Sequence, residues 1–165
     1  MSYETVASDL AFLIPSATLY HFGILTSLIH MAWMQTVCGR LEMRYRYSAN
    51  IVYNNFPWPD NPVNPDNSVE KDLHVSTRST RLNNSVYSVS SVVENITQTA
   101  QSILDARALY PDSSLADLYD PLTMPIELRK AHAANDAAVM KAYGYSPSMT
   151  EPEIVADLMK RYQEL

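Results

Sequence analysis

The chain has 165 residues, 47% of them hydrophobic, enough for one compact domain or two small subdomains sharing a core but too few for a large multidomain enzyme. A formal charge of −6 counts against nucleic-acid binding by bulk positive charge, and the single cysteine, Cys38, excludes an internal disulfide and fits a reducing compartment. The charge is uneven: residues 1–58 balance Arg40, Arg44 and Arg46 against Glu4, Asp9 and Glu42, so the whole acidic excess falls in residues 59–165.

Met1 is followed by SYETVASD rather than by a basic segment and an apolar run, so no signal peptide is expected. Ala11 to Ile14 is a short apolar run stopped by Pro15 and predicts a strand. Ser16 or Thr18 can then cap one helix in which Phe22, Leu25, Ile29, Trp33 and Val37 recur at steps of three and four, with Gly39 at its end. The window from Tyr20 to Cys38 is the most apolar, but His21, Thr26, Ser27, His30, Gln35 and Thr36 interrupt it, which predicts a buried helix and not a membrane span. On such a face His30 reads as a core histidine with its hydrogen bonds met, and Cys38 as a small buried hydrophobe.

Charged and aromatic residues alternate next. In one extended strand Arg40, Glu42, Arg44 and Arg46 share a face, and Leu41, Met43, Tyr45 and Tyr47 share the other. One face can enter a core while the other meets a partner offering both donors and acceptors, as DNA base edges do. The bland alternative is a solvated Glu-x-Arg surface pair that contributes little. In the following YNNFPWP, Pro57 and Pro59 fix the backbone and remove two donors, and Phe56 and Trp58 are placed to clamp the exit.

Residues 61–91, rich in Asn, Ser and Pro, read as a loop or disordered insertion. Helical pattern returns at Val92, with Val93, Ile96, Ala100, Ile103, Leu104 and Arg107 on one face until Pro111. The segment DSSLADLYDPLTMP predicts a short helical turn and an ordered crossing anchored by Leu115, Leu118, Tyr119 and Leu122. A second helix after Pro125 carries Leu128, Ala131, Asn135, Val139 and Ala142 to a stop at Gly144. A third opens on a capping box of Thr150 and Glu153, with Pro152 in its first turn, and carries Ile154, Leu158 and Tyr162. The expected class is α+β, mainly α: a partial sheet with one buried helix, followed by a small helical C-terminal cap.

Three long and uncommon strings stand out: FGILTSLIHMAWMQTVCGRLEMRYRYS from Phe22, YNNFPWP from Tyr53, and AQSILDARALYPDSSLADLYDPLTMPIELRKAH from Ala100. In them the chain resembles the C-terminal part of the MmeI-like restriction-modification enzymes, bacterial polypeptides joining a nuclease, an adenine-specific DNA methyltransferase and a target-recognition domain. The resemblance implies that residues 1–60 are the C-terminal portion of the recognition domain and 92–165 a helical C-terminal domain, with 61–91 inserted between them. It further implies that Glu42 and Arg44 read one base pair and that Arg46 stands near a neighbouring pair. The chemistry suits this, because a carboxylate accepts from the exocyclic amine of cytosine while a guanidinium donates to O6 and N7 of guanine. Arg40, Tyr47, Ser48 and Asn54 are candidates either for DNA-backbone contacts or for bracing the strand.

Catalytic motifs are not found in the sequence. Adenine methylation needs a glycine-rich turn for the methyl donor and an Asn/Asp-Pro-Pro-aromatic loop, but Gly23, Gly39 and Gly144 are isolated and Asn55-Phe56-Pro57-Trp58 has the wrong order. A metal-dependent nuclease would place its last acid two residues before a lysine, whereas Glu70 precedes Lys71 directly. His21, His30, His74 and His132 lack metal-ligand spacing. No catalytic, cofactor or metal site is therefore expected in this chain, and the resemblance places S-adenosylmethionine and a divalent metal on the missing catalytic parts. The function it implies is a DNA sequence-recognition and structural cap segment, non-catalytic by itself and cytoplasmic. Its partners would be double-stranded DNA and the methyltransferase core of the same or a neighbouring polypeptide, with no membrane. The alternative is a protein interaction module or decayed remnant docking on such a core without base readout. Because the family's recognition domain extends upstream, a cut-down piece, a split-gene product and a remnant are all compatible with the sequence.

Overall fold

A computed structural model describes residues 12–41, 44–59 and 82–165. The architecture is α+β and mainly helical, with one small antiparallel hairpin. Phe12 to Ile14 form no strand: they are irregular, with Phe12 and Leu13 exposed, and the described sheet contains no third strand to pair with them. Ala11 lies outside the described residues.

Helix α1 (Leu19–Leu25) starts at Thr18, whose hydroxyl lies 2.9 Å from His21 Nδ1 while its backbone N–H donates to the same nitrogen at 3.1 Å. The imidazole does here what a Glu does in a conventional capping box. The single helix expected across this region is in fact two. The Thr26 hydroxyl donates to the Phe22 carbonyl at 2.8 Å and the Ser27 hydroxyl to the Ile24 carbonyl at 2.7 Å, bonds that compete with the helical ladder and break it. Ser27 Oγ then accepts from the His30 N–H, and Asp136 accepts from the Leu28 N–H at 2.8 Å, so α2 (Leu28–Val37) begins with its free donors served from two sides. No left-handed glycine ends α2. Cys38 is already extended, and Gly39 opens a strand instead of closing the helix.

Strands β1 (Gly39–Leu41) and β2 (Arg44–Arg46) pair antiparallel, and a π-helical turn follows over Ala49–Tyr53. Trp33 Nε1 donates to the Val52 carbonyl at 2.9 Å, tying this turn to α2. The exit matches expectation: Phe56 is buried, Trp58 meets it edge-on with ring centroids 5.5 Å apart, and the Tyr143 hydroxyl donates to the Pro57 carbonyl at 2.9 Å.

Helix α3 (Leu82–Ala108) begins well before Val92, so the last part of the expected loop is helical. Leu82, Val86, Val89, Val93 and Ile96 keep steps of three and four, and this spacing outweighs the Asn and Ser content, whose helix penalty is only about 0.5 kcal/mol per residue. The rest of that loop, 61–81, lies outside the described residues. In α4 (Leu115–Leu118) Ser114 and Asp117 form a capping box, but only Leu118 of the four expected anchors is buried, packing against Ile103, Ala106 and Leu128. Leu115, Tyr119 and Leu122 are exposed, since one helical turn offers a single side to the core. Helix α5 (Ile126–Tyr143) stops at Gly144 with φ 72°, and α6 (Glu151–Gln163) starts at the Thr150–Glu153 box, both as read from the sequence.

One core spans both ends of the chain. Ile24, Ile29, Trp33, Val52 and Phe56 from the first part pack with Ile96, Val139, Ile154 and Leu158 from the second, each such burial contributing roughly 1.5–3 kcal/mol. Helix α1 lies on α3, α2 on α6, and α3 on α5. Close approach of α1 and α3 requires Gly23, where an added Cβ would stand 2.7 Å from Ile96 Cγ2.

Candidate nucleic-acid interface

The register of the hairpin pairs Gly39 with Arg46, Arg40 with Tyr45, and Leu41 with Arg44. The run expected as one alternating strand thus folds back on itself, and this changes which side chains travel together. Arg44 and Arg46 share one face, both exposed, while Arg40 joins Tyr45 on the other. Alternation counted straight through Arg40 to Arg46 ignores the antiparallel pairing of the two strands. Arg40 lies 4.8 Å over the Tyr45 ring, with a 3.4 Å bond to its hydroxyl, which braces the two strands against each other. Glu42 lies outside the described residues.

Behind the hairpin the chain dips into the core at Tyr47. Its hydroxyl is 3.1 Å from His30 Nε2, and its ring lies 6.1 Å from Phe12. Burial, then the neighbouring Tyr53, pushes the Tyr47 hydroxyl up to about 12. His30 is 2% exposed, and burial pushes its imidazole down to about 4, so it is neutral near pH 7. Contrary to the expectation of a fully bonded core histidine, its Nδ1 has no hydrogen-bond partner among the described residues. His30 and Tyr47 border an apolar cleft of about 490 Å³ whose walls include Phe12, Leu13, Leu25, Met31 and Met34. Ser48 stands at the start of the π-helical turn, where its carbonyl accepts from the Val52 N–H at 2.8 Å, and Asn54 closes that turn with its N–H on the Ala49 carbonyl. Sequence reading passed over the coupling of His30 to Tyr47; the available signal was that His30 lies two helical turns, roughly 10 Å, before the end of α2.

Elsewhere, Tyr119 gathers Arg107, whose Nε donates to its hydroxyl at 3.0 Å, and His132, whose Nε2 lies 2.6 Å away. Burial, then the Arg107 charge, pushes the His132 imidazole down. Among the described residues no group of three or more His, Cys, Asp or Glu converges, and Gly23, Gly39 and Gly144 serve helix packing, a strand start and a helix stop. No described helix is long and apolar enough to cross a membrane.

Residues 1–60 match the family model described as "MmeI, target recognition domain", and residues 90–165 match "MmeI, C-terminal domain". The chain is 35% identical over 162 residues to DNA methyltransferase A of Bacillus subtilis (strain 168), covering 98% of this chain and 15% of that protein. It superposes on the type IIL restriction-modification enzyme MmeI, solved in complex with DNA, with a TM-score of 0.69 and 41% identity over 92% of this chain and 17% of that one.

Proposed function

This chain belongs to the MmeI-like family of restriction-modification enzymes, whose target recognition and C-terminal domains it carries, and on that premise we propose that it reads DNA sequence for a bacterial methyltransferase and endonuclease without catalysing either reaction itself. The observation that carries this reading is the pair of exposed guanidinium groups, Arg44 and Arg46, on one face of a two-stranded hairpin. Guanidinium groups so displayed can donate to O6 and N7 of guanine in the major groove, and Glu42 would supply the acceptor for cytosine on the opposite strand. Arg40 acts as a brace, with Tyr47, Ser48 and Asn54 anchoring the strand's exit. The helical part is a structural cap, and its acidic surface faces away from DNA. S-adenosylmethionine and a divalent metal would be bound by a catalytic core of the same or a neighbouring polypeptide, in the cytoplasm where the DNA lies.

The test is a charge swap, Glu42→Lys with Arg44→Asp, in an enzyme carrying this segment. A reversed orientation of the preferred C·G pair, with discrimination of ~1–3 kcal/mol, supports readout. Unchanged preference sinks it, and favours a second reading: the apolar cleft beside His30 is a seat for the methyltransferase core, and the chain is an interaction module with no base contact.

A further inference from the structure

A two-stranded ribbon this short has little stability of its own, so its orientation is set by what holds its ends. Both ends are held by α2. The first strand continues directly from it, since Cys38 still donates its N–H to the Met34 carbonyl at 3.0 Å before β1 begins. The second strand returns to the same helix one residue after Arg46, through the 3.1 Å contact of the Tyr47 hydroxyl with His30 Nε2. His30 is itself fixed: it is 2% exposed and meets the Phe56 ring edge-on with centroids 4.6 Å apart. Tyr47 is half-buried, whereas Arg44, Tyr45 and Arg46 ahead of it are exposed, so Tyr47 is where the returning strand first gains the core. A single part-buried hydrogen bond thus closes a triangle of helix, outgoing strand and returning strand. Among the described residues this is the one hydrogen bond of the His30 ring, whose other nitrogen has no partner there.

We propose that His30 is a positioning residue for base readout: it touches no DNA, and through the Tyr47 hydroxyl it sets the point from which Arg44 and Arg46 reach the base edges. This rests on the readout reading above. Bidentate recognition depends on placement to within a fraction of the bond length, so a hairpin freed at one leg keeps its charge and loses its discrimination.

The experiment selects bound duplexes from a sequence-randomised pool at low salt, using the full 165-residue chain. Arg44→Ala and Arg46→Ala first identify the positions read by the hairpin. At those positions His30→Leu should lower discrimination about fivefold or more, a larger loss than in total duplex affinity. Tyr47→Phe, which keeps the ring and removes only the hydroxyl, should lose the same discrimination. His30→Gln, whose side-chain amide can still meet that hydroxyl, should recover most of it. The double variant His30→Leu/Tyr47→Phe should be no worse than either single one, as expected for two halves of one bond. Intact discrimination in Tyr47→Phe, with the arginine variants still altering preference, overturns the latch alone. If the chain has no preference, or the arginine variants leave it unchanged, the readout itself fails and the latch falls with it.

Discussion

Asn135 on α5 donates its side-chain amide to the Gly23 carbonyl on α1 at 2.8 Å, and both residues are buried. The carbonyl needs this donor because the Ser27 N–H, its ordinary helical partner, has turned to the Ile24 carbonyl at 3.1 Å where the helix breaks. Thr99 closes the other end of the amide by donating to Asn135 Oδ1 at 3.1 Å. The break that sequence periodicity missed is therefore served from another helix far along the chain.

Replacing Asn135 with Leu, similar in size but unable to donate, should destabilise the chain by about 2–3 kcal/mol, because a buried carbonyl loses its strong donor. Urea unfolding should show a lower midpoint at unchanged slope; a midpoint within error of the parent would mean that the bond is replaced by solvent.

Gly23→Ala probes the same junction from the other side. The new methyl would stand 2.7 Å from Ile96 Cγ2, 3.0 Å from Asn135 Oδ1 and 3.2 Å from Ala100 Cβ. Neither the α3 side chains nor the Asn135 amide can retreat freely, so a cost of ~1–3 kcal/mol is expected despite alanine's better helix propensity. A stabilised Gly23→Ala would show that α1 and α3 can separate without penalty.

His30 predicts an acid sensitivity. Its native pKa is lowered from 6.5 to about 4, so the unfolded state takes up a proton that the native state refuses. The stability present above pH 6.5 is lost as pH falls towards 4, on the order of 3 kcal/mol in total. His132, shifted the same way, adds to this, and Asp136, whose carboxyl burial raises, acts oppositely. Comparing denaturant midpoints at pH 7 and pH 4.5 for the parent and His30→Gln isolates the His30 contribution: the variant should show the flatter profile, and equal profiles would refute the assignment.

Binding of the isolated chain to duplex DNA should be weak and steeply salt-dependent in relation to its strength. With Arg40, Arg44 and Arg46 as the hairpin's cations and a net charge of −6, the slope of log K against log salt should be no steeper than about −3. Fluorescence anisotropy across a salt series measures it. Nanomolar binding that survives high salt would place the affinity somewhere other than this hairpin.

Much of the helical part was legible because its signals are local. Gly144 after an apolar repeat, and Thr150 with Glu153 around Pro152, mark boundaries through the chemistry of unsatisfied helix ends, which depends on a few adjacent residues. Leu122 was misjudged as an anchor because burial depends on what lies opposite; it is 92% exposed, whereas Leu118 is 4% exposed against α3 and α5. Leu118→Ala should accordingly cost about 2–4 kcal/mol and Leu122→Ala less than about 0.5 kcal/mol, measured side by side by thermal unfolding. At the candidate interface Arg44 and Arg46 share a face as their alternation predicts, but the reversal that parts Arg40 from them turns on a register that hydrophobic periodicity does not encode in so short and polar a run.

The common core of Ile24, Trp33 and Phe56 with Ile96, Val139 and Ile154 has a consequence for how this chain can be divided. A polypeptide severed between Pro59 and Leu82 would yield two pieces, each exposing half of a buried interface and neither holding its shape alone. Mixed together, they should recover helical content and a shared unfolding transition at a concentration-dependent temperature, behaving as an obligate heterodimer made from what began as a single chain.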